Sequence, residues 1–241
     1  MKIIVEKYGG SSLATDEQIN FVAQNVVQSK RLGFQVVVVV SAMGKMTDDL
    51  ISRAKSIHHD PNQREMGLLL SVGEIISASL LSLAIQNLGY PASALTGSQA
   101  GIETVGPLDN SRISRINPER IIQLLHNDEI VVVTGFQGIQ EGEISVLARG
   151  GSDASAVAIA ASLGASRCYI YTDVPGVFSE DPNINPDAEL LEDLTYEEMI
   201  KMSASGARIL MQDAVEIAKK SGIEIVVGDS YEKNTGTLIS S

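Results

Sequence analysis

The 241-residue chain has no tryptophan, a single cysteine and an aromatic content of only 4%. Stacking exposed bases takes several aromatics, so a single-strand nucleic-acid platform is excluded as the main function. The lone thiol, Cys168, stands in an apolar, strand-like run and reads as a small core residue, and no disulfide can form within the chain. Positive charge is also scarce. Lysine and arginine number 18 against 30 aspartates and glutamates, a formal net charge of −12. That balance argues against nucleic acid or an anionic membrane as a partner. Anionic ligands, if any, require the few cations to gather at one place. The charged start, Met1–Lys7, is not a secretion signal, no apolar run is expected to reach the length of a membrane span, and a cytoplasmic location is expected. His58 and His59, adjacent before Asp60-Pro61, read as solvated turn residues, and no protein-held metal site is expected. What remains, 44% hydrophobic and 20% charged, is the composition of an ordinary globular protein long enough to bury a core.

Apolar strand-like runs alternate with helical patterns. Ile3–Val5 reads as a strand, followed by Lys7-Tyr8-Gly9-Gly10-Ser11-Ser12 and a helix from about Thr15 to Leu32. Thr15 can cap that helix, and Ile19, Val22, Ala23, Val26 and Val27 form its apolar face. Strand, glycine turn and helix in that order suit a phosphate, with Lys7 adding a point charge. It is not a Walker loop. Gly44-Lys45-Met46 puts methionine where that motif needs Ser or Thr. Gln35–Val40 is apolar and β-branched, which implies burial on both faces of a parallel sheet. The polar loop Ser41–Thr47 then falls at a carboxyl edge, where open α/β sheets bind ligands. Helices are expected over about Asp48–Ile57 and Glu65–Asn87. Glu74 lies inside the apolar run of the second, and a buried carboxylate needs a partner, whether a lysine or a ligand.

Residues 90–117 read as irregular strands and turns, then a helix from Pro118 to His126 and a buried strand at Ile130–Val133. Gly142–Val146 forms a hairpin arm leading to the most informative stretch, Leu147–Ala156. Arg149 precedes Gly150 and Gly151, then Ser152 and Asp153 open an apolar run to Leu163. Ser152 is expected to cap a helix whose N-terminus, with Arg149 beside it, favours an anion. Beyond it come a strand at Arg167–Tyr171, a turn-rich loop at Ser179–Asp187, a helix Tyr196–Ser203 capped by Thr195 with Glu198, and a helix Arg208–Ser221. A buried strand at Ile223–Val227 and a short edge strand at Thr237–Ile239 end the chain. The alternation predicts an α/β protein, a three-layer α/β/α sandwich around a mainly parallel sheet, forming one domain over 1–241.

Several of these segments together carry a resemblance: Lys7-Tyr-Gly-Gly-Ser-Ser12, Val40-Ser-Ala-Met-Gly-Lys-Met-Thr47, Ser71-Val-Gly-Glu74, Arg149-Gly-Gly-Ser-Asp153, Tyr171-Thr-Asp173 and Asp181-Pro182. Tyr196-Glu-Glu-Met199, Gly206-Ala-Arg208 and Gly236-Thr-Leu-Ile239 extend it to almost the whole chain. The pattern resembles the aspartate kinase branch of the amino-acid kinase superfamily. The resemblance implies phosphorylation of a side-chain carboxylate, that of L-aspartate, by ATP with Mg²⁺ held mainly through the nucleotide. It implies a homodimer as well, with the N-terminal part supplying mainly the amino-acid site and about 150–241 mainly the nucleotide site. By the same resemblance Lys7, Asp153 and Arg208 are catalytic, with Asp153 holding the cation in place. Lys7, Tyr8, Gly9, Gly10, Thr172, Asp173, Phe178, Asp181, Asn183, Ala207 and Arg208 would meet ATP. Ser41, Thr47, Glu74, Arg149, Gly150, Gly151 and Ser152 would bind the acceptor, with Glu74 on its ammonium and Arg149 on a carboxylate. Arg208 stands where the family usually has lysine, Asn183 where it has a basic residue, and Val174-Pro175-Gly176 suggests a stiffer loop. The family's paired ACT regulatory domains would begin where this sequence stops, and for a chain complete at Ser241 no feedback by lysine or threonine through them is expected. A related kinase for another small acid, or a non-catalytic paralogue that binds nucleotide or amino acid, remain the alternatives at this point.

Overall fold

The valines of the second strand set the centre of the molecule, because Val36–Val40 have no solvent exposure. In the computed structural model, which describes residues 2–182, 184–205, 209–231 and 236–241, they lie in the interior of a large sheet. In chain order the first elements are β1 (Ile3–Tyr8), a 3₁₀ turn (Gly10–Leu13), α1 (Asp16–Arg31), β2 (Gln35–Val40), α2 (Met46–Ile57) and α3 (Gln63–Asn87). Next come β3 (Ala92–Leu95), β4 (Ile102–Val105), β5 (Arg112–Ile116), α4 (Glu119–His126), β6 (Ile130–Thr134), β7 (Gln137–Gln140) and β8 (Glu143–Val146). The remainder is α5 (Gly151–Leu163), β9 (Arg167–Thr172), β10 (Asp193–Thr195), α6 (Tyr196–Ala204), α7 (Gln212–Ser221), β11 (Ile225–Asp229) and β12 (Thr237–Ser240).

The main sheet has the order β10-β12-β11-β9-β1-β2-β6-β3. From β11 to β3 every pairing is parallel, while β12 runs antiparallel to β11. Alternation along β1 splits the core in two. Ile3 and Val5 face a cluster built with α4, α5, α6 and α7, whereas Ile4 and Tyr8 face one built with α1 and α3. These are the expected three layers. Thr15 caps α1 in a reciprocal box with Gln18, and Thr195 does the same for α6 with Glu198.

Register fixes where the loops emerge. Tyr8 lies beside Val40 and Tyr171, Val40 beside Thr134, and Tyr171 beside Gly228, so the loops after β1, β2, β6, β9 and β11 leave along one edge. From β1 the chain first builds the β2–β6–β3 side and only later returns to lay β9 on the other side of β1. The reversal between β1 and β9 is the place where such sheets bind ligands.

Four features correct the sequence reading. A second sheet, β5-β4-β7-β8, is built from the segments read as irregular and from the hairpin arm. Thr237–Ile239 is no edge, since β10 pairs outside β12. Helix α7 starts at Gln212 and not at 208, because Leu210 enters the core and its carbonyl accepts the Ser203 hydroxyl at 2.8 Å. Finally, α3 is long and apolar enough to cross a membrane by length and composition, with a hydropathy of 2.1, although half of that window is buried within the fold.

Candidate active site

Lys7 is the penultimate residue of β1, just before the glycines, and its side chain points to the α5 side of the sheet. Its Nζ lies 2.7 Å from Asp153 Oδ1, and each side chain is only 10% exposed. Asp153 occupies the first turn of α5, where a carboxylate also interacts favourably with the helix dipole. A buried cation is thus held at the mouth of a helix N-terminus, an arrangement suited to an anion.

Two glycines shape this corner. At Gly10 an added Cβ would stand 2.5 Å from the Ala42 carbonyl oxygen, so the β1 loop can close onto the β2 loop only without a side chain. The Gly44 N–H donates to the Gly10 carbonyl at 2.9 Å and locks the two loops together. Gly150 has φ +80 and caps α5, and its missing Cβ leaves room for Met211, whose Cγ would be 2.0 Å away. Ser152 is therefore not the cap. The chain reverses at Gly150, with the Gly151 N–H donating to the Ala148 carbonyl, and Ser152 lies inside the first helical turn.

Glu74 reaches the same region from α3. It is 2% exposed, and Oε1 accepts the Ala42 N–H at 3.1 Å. Its Oε2 is buried without a partner among the described residues, and neither oxygen meets a lysine among them. Loss of hydration on burial pushes its carboxyl up to about 7, opposed by its own backbone N–H and by that of Ala42.

A cleft of about 410 Å³ opens over these groups. Lys7, Gly10, Ser41, Thr47, Glu74, Arg149 and Asp153 line it, together with Gly150, Gly151 and Ser152. Arg149 is exposed and has no ion-pair partner among the described residues. The demand set by the net charge of −12 is met locally, for Lys7 and Arg149 face one cavity.

The other expected residues, among those described, do not line this cleft. Tyr8 is fully buried, its hydroxyl donating to the Glu6 carboxylate at 2.9 Å and its ring stacked 4.9 Å from Tyr171. Its side chain cannot meet a ligand, because the alternation that turns Lys7 toward α5 turns Tyr8 toward α1. Gly9 donates to the Tyr171 carbonyl at 3.3 Å and joins the ends of β1 and β9. Thr172 and exposed Asp173 sit at the carboxyl end of β9, and half-buried Phe178 bridges to Leu190 farther along, before exposed Asp181. Asn183, Ala207 and Arg208 lie outside the described residues.

Sequence reasoning missed Asp48, Asp109, Asn110 and Phe136, which also line the cleft. Asp109-Asn110 had a signal, as turn formers soon after Pro107. Phe136 had none. It adopts φ +64, a left-handed conformation unusual for a bulky residue.

An amino acid kinase family model matches residues 2–229. The aspartokinase of Mycolicibacterium smegmatis is 46% identical over 241 residues, covering 99% of this chain and 57% of that protein. Aspartokinase 2 of Bacillus subtilis is 48% identical over 240 residues, covering 99% and 59%. The chain therefore spans less than two thirds of these relatives. Among solved structures, the aspartate kinase from Synechocystis superposes with a TM-score of 0.88 at 45% identity, covering 99% of this chain and 40% of that one. Aspartokinase III of E. coli, solved in complex with aspartate and ADP, gives 0.85 at 25% identity, covering 100% and 65%. With the family match running from the first residue of the described structure to the end of β11, the chain belongs to the amino acid kinase family.

Proposed function

We propose that this chain transfers the γ-phosphoryl group of ATP to the side-chain carboxylate of L-aspartate, forming 4-phospho-L-aspartate and ADP on the way to lysine, threonine and methionine. In this reading residues 1–241 act in the cytoplasm as one catalytic domain, with the acceptor held mainly by the N-terminal part and the nucleotide mainly by about 150–241. The observation that carries it is one cleft holding three complementary groups: the buried Oε2 of Glu74 and the cation of Arg149, neither with a partner among the described residues, and Lys7 fixed by Asp153. Relatives named aspartokinase, at 46% and 48% identity, support the choice of acceptor.

The chemistry follows from charge. An α-ammonium at Glu74 gives Oε2 its missing partner and favours the ionised carboxylate, while Arg149 takes the α-carboxylate in its planar fork. That leaves the β-carboxylate free to face Lys7. A carboxylate is already ionised at neutral pH, so the site needs no general base. One of its oxygens attacks the γ-phosphorus, and the bond from that phosphorus to the bridging oxygen breaks. The electron pair leaves with ADP. Phosphoryl transfer of this kind depends on positioning and charge neutralisation, which fall to Lys7, to the N-terminal amides of α5 and to the glycine turn after β1. Mg²⁺, entering with the nucleotide, supplies further neutralisation of phosphate charge. Asp153 holds Lys7 in place across their 2.7 Å contact and is not used as a base.

The test is ADP release from Mg-ATP with L-aspartate, glutamate, N-acetylglutamate or no acceptor. Turnover with aspartate above the others is the expected result. Preference for another acid, or ATP binding without acceptor-dependent turnover, would overturn the assignment.

A further inference from the structure

The turn Leu147–Gly151 borders a second cavity, of about 190 Å³, besides the cleft. Its other walls are the start of β5, the first turn of α5 and one face of α7. Arg112 comes from β5, Arg149 from the shared turn, and Asp213, Glu216 and Lys220 from α7. The α7 residues are three and four positions apart and so stand on one face of that helix. None of the five has an ion-pair partner among the described residues, although Glu216 accepts the Gln212 side-chain amide at 2.8 Å. In a chain with 18 lysines and arginines against 30 acids, three cations around one small cavity are a local excess.

We propose that this cavity is a second ligand site, for a zwitterionic amino acid with two carboxylates, and that its occupation opposes binding of the acceptor in the cleft. The charges select the class. Three positive side chains against two negative ones leave one positive charge, which a ligand with two carboxylates and one ammonium balances. Its carboxylates fall to Arg112, Arg149 and Lys220, and its ammonium to Asp213 and Glu216. A bare oxyanion such as phosphate would be repelled by those two acids. The size agrees. A cavity of 190 Å³ has about the volume of six waters, which suits a small amino acid and is too little for a nucleotide. Leu147, Met211 and Ile217 supply apolar wall for its methylenes. The antagonism follows from Arg149, which alone among the described residues carries charge into both cavities. One planar guanidinium cannot clamp carboxylates in two places at once, so each ligand weakens the other by the same factor. The consequence for turnover rests on aspartate being the acceptor; the site itself does not.

The experiment measures the KM for aspartate with and without L-glutamate, a ligand of this class, in the wild type and in Arg112→Gln/Lys220→Gln. Both side chains are exposed, and neither lines the cleft. Glutamate is expected to raise the wild-type KM about five-fold or more, and the variant, with its KM unchanged in the absence of glutamate, to lose that effect. An unaffected wild type overturns the proposal. So does inhibition that persists in the variant, because glutamate then acts in the cleft itself. Glutarate, which lacks the ammonium, should act more weakly, and equal inhibition by glutarate through the same two residues would overturn the amino-acid class. Should aspartate prove not to be the acceptor, calorimetric titration of the nucleotide-free chain with glutamate replaces turnover. Binding lost in the variant supports the site, and binding that is absent or equal in both overturns it.

Discussion

Replacing Glu74 by glutamine should make the unliganded protein more stable at alkaline pH while impairing aspartate use. Burial raises this carboxyl from 4.5 to about 7. At about 1.4 kcal/mol per unit, keeping it ionised costs the folded protein on the order of 3 kcal/mol. The folded-state value lies above the unfolded one, so well below 4.5 both states are protonated and no cost arises. Stability contributed by the protonated form is then lost as pH rises from 4.5 to about 7, and the full penalty holds above that. Glutamine keeps an oxygen for the Ala42 N–H and carries no charge. Urea unfolding without ligands, at about pH 5 and about pH 8, should show the variant's advantage widening by roughly 2 to 3 kcal/mol between the two. A stability gap that is the same at both pH values would refute the reasoning. In kinetics, the same variant should raise the KM for aspartate far more than that for ATP.

Asp153→Asn removes the charge that holds Lys7, leaving a buried ammonium unpaired. A loss of about 3 kcal/mol in unfolding free energy and a lower kcat are expected, and unchanged urea midpoints would contradict the importance of the 2.7 Å ion pair. Gly150→Ala forces a Cβ into both a left-handed turn and Met211. It should lower stability by roughly 1 to 3 kcal/mol, partly recovered in the Gly150→Ala/Met211→Ala double variant, as read by thermal melts. Burial pushes the Cys168 thiol up, so a thiol reagent at mildly alkaline pH should react only on unfolding, and prompt reaction with the folded protein would contradict its place in the core.

The central sheet was legible because burial on both faces leaves a plain mark. The valines of β2 and β6 and the capped amphipathic helix α1 could hardly be read otherwise. The cleft was legible for a different reason: Lys7, Glu74, Arg149 and Asp153 are chemically conspicuous where they stand, though only the fold brings them together. What failed depended on long-range pairing or on backbone shape. The strands of the small sheet are short, and β5 alternates weakly because much of it is exposed, so its pairing with β4 had no local signal. Ser152 looked like a cap by residue type, but the reversal at Gly150 left it two positions past the cap. Tyr8 shared a motif with Lys7 yet points to the opposite face, a consequence of strand alternation that the motif alone conceals.

The most direct test of the central claim is trapping the acyl phosphate. Mg-ATP, L-aspartate and hydroxylamine should yield aspartyl hydroxamate in step with ADP, and Lys7→Ala should reduce both by roughly 100-fold or more, as expected for loss of a charge aimed at the reacting group. ADP formed without hydroxamate, or full turnover by Lys7→Ala, would contradict the mechanism.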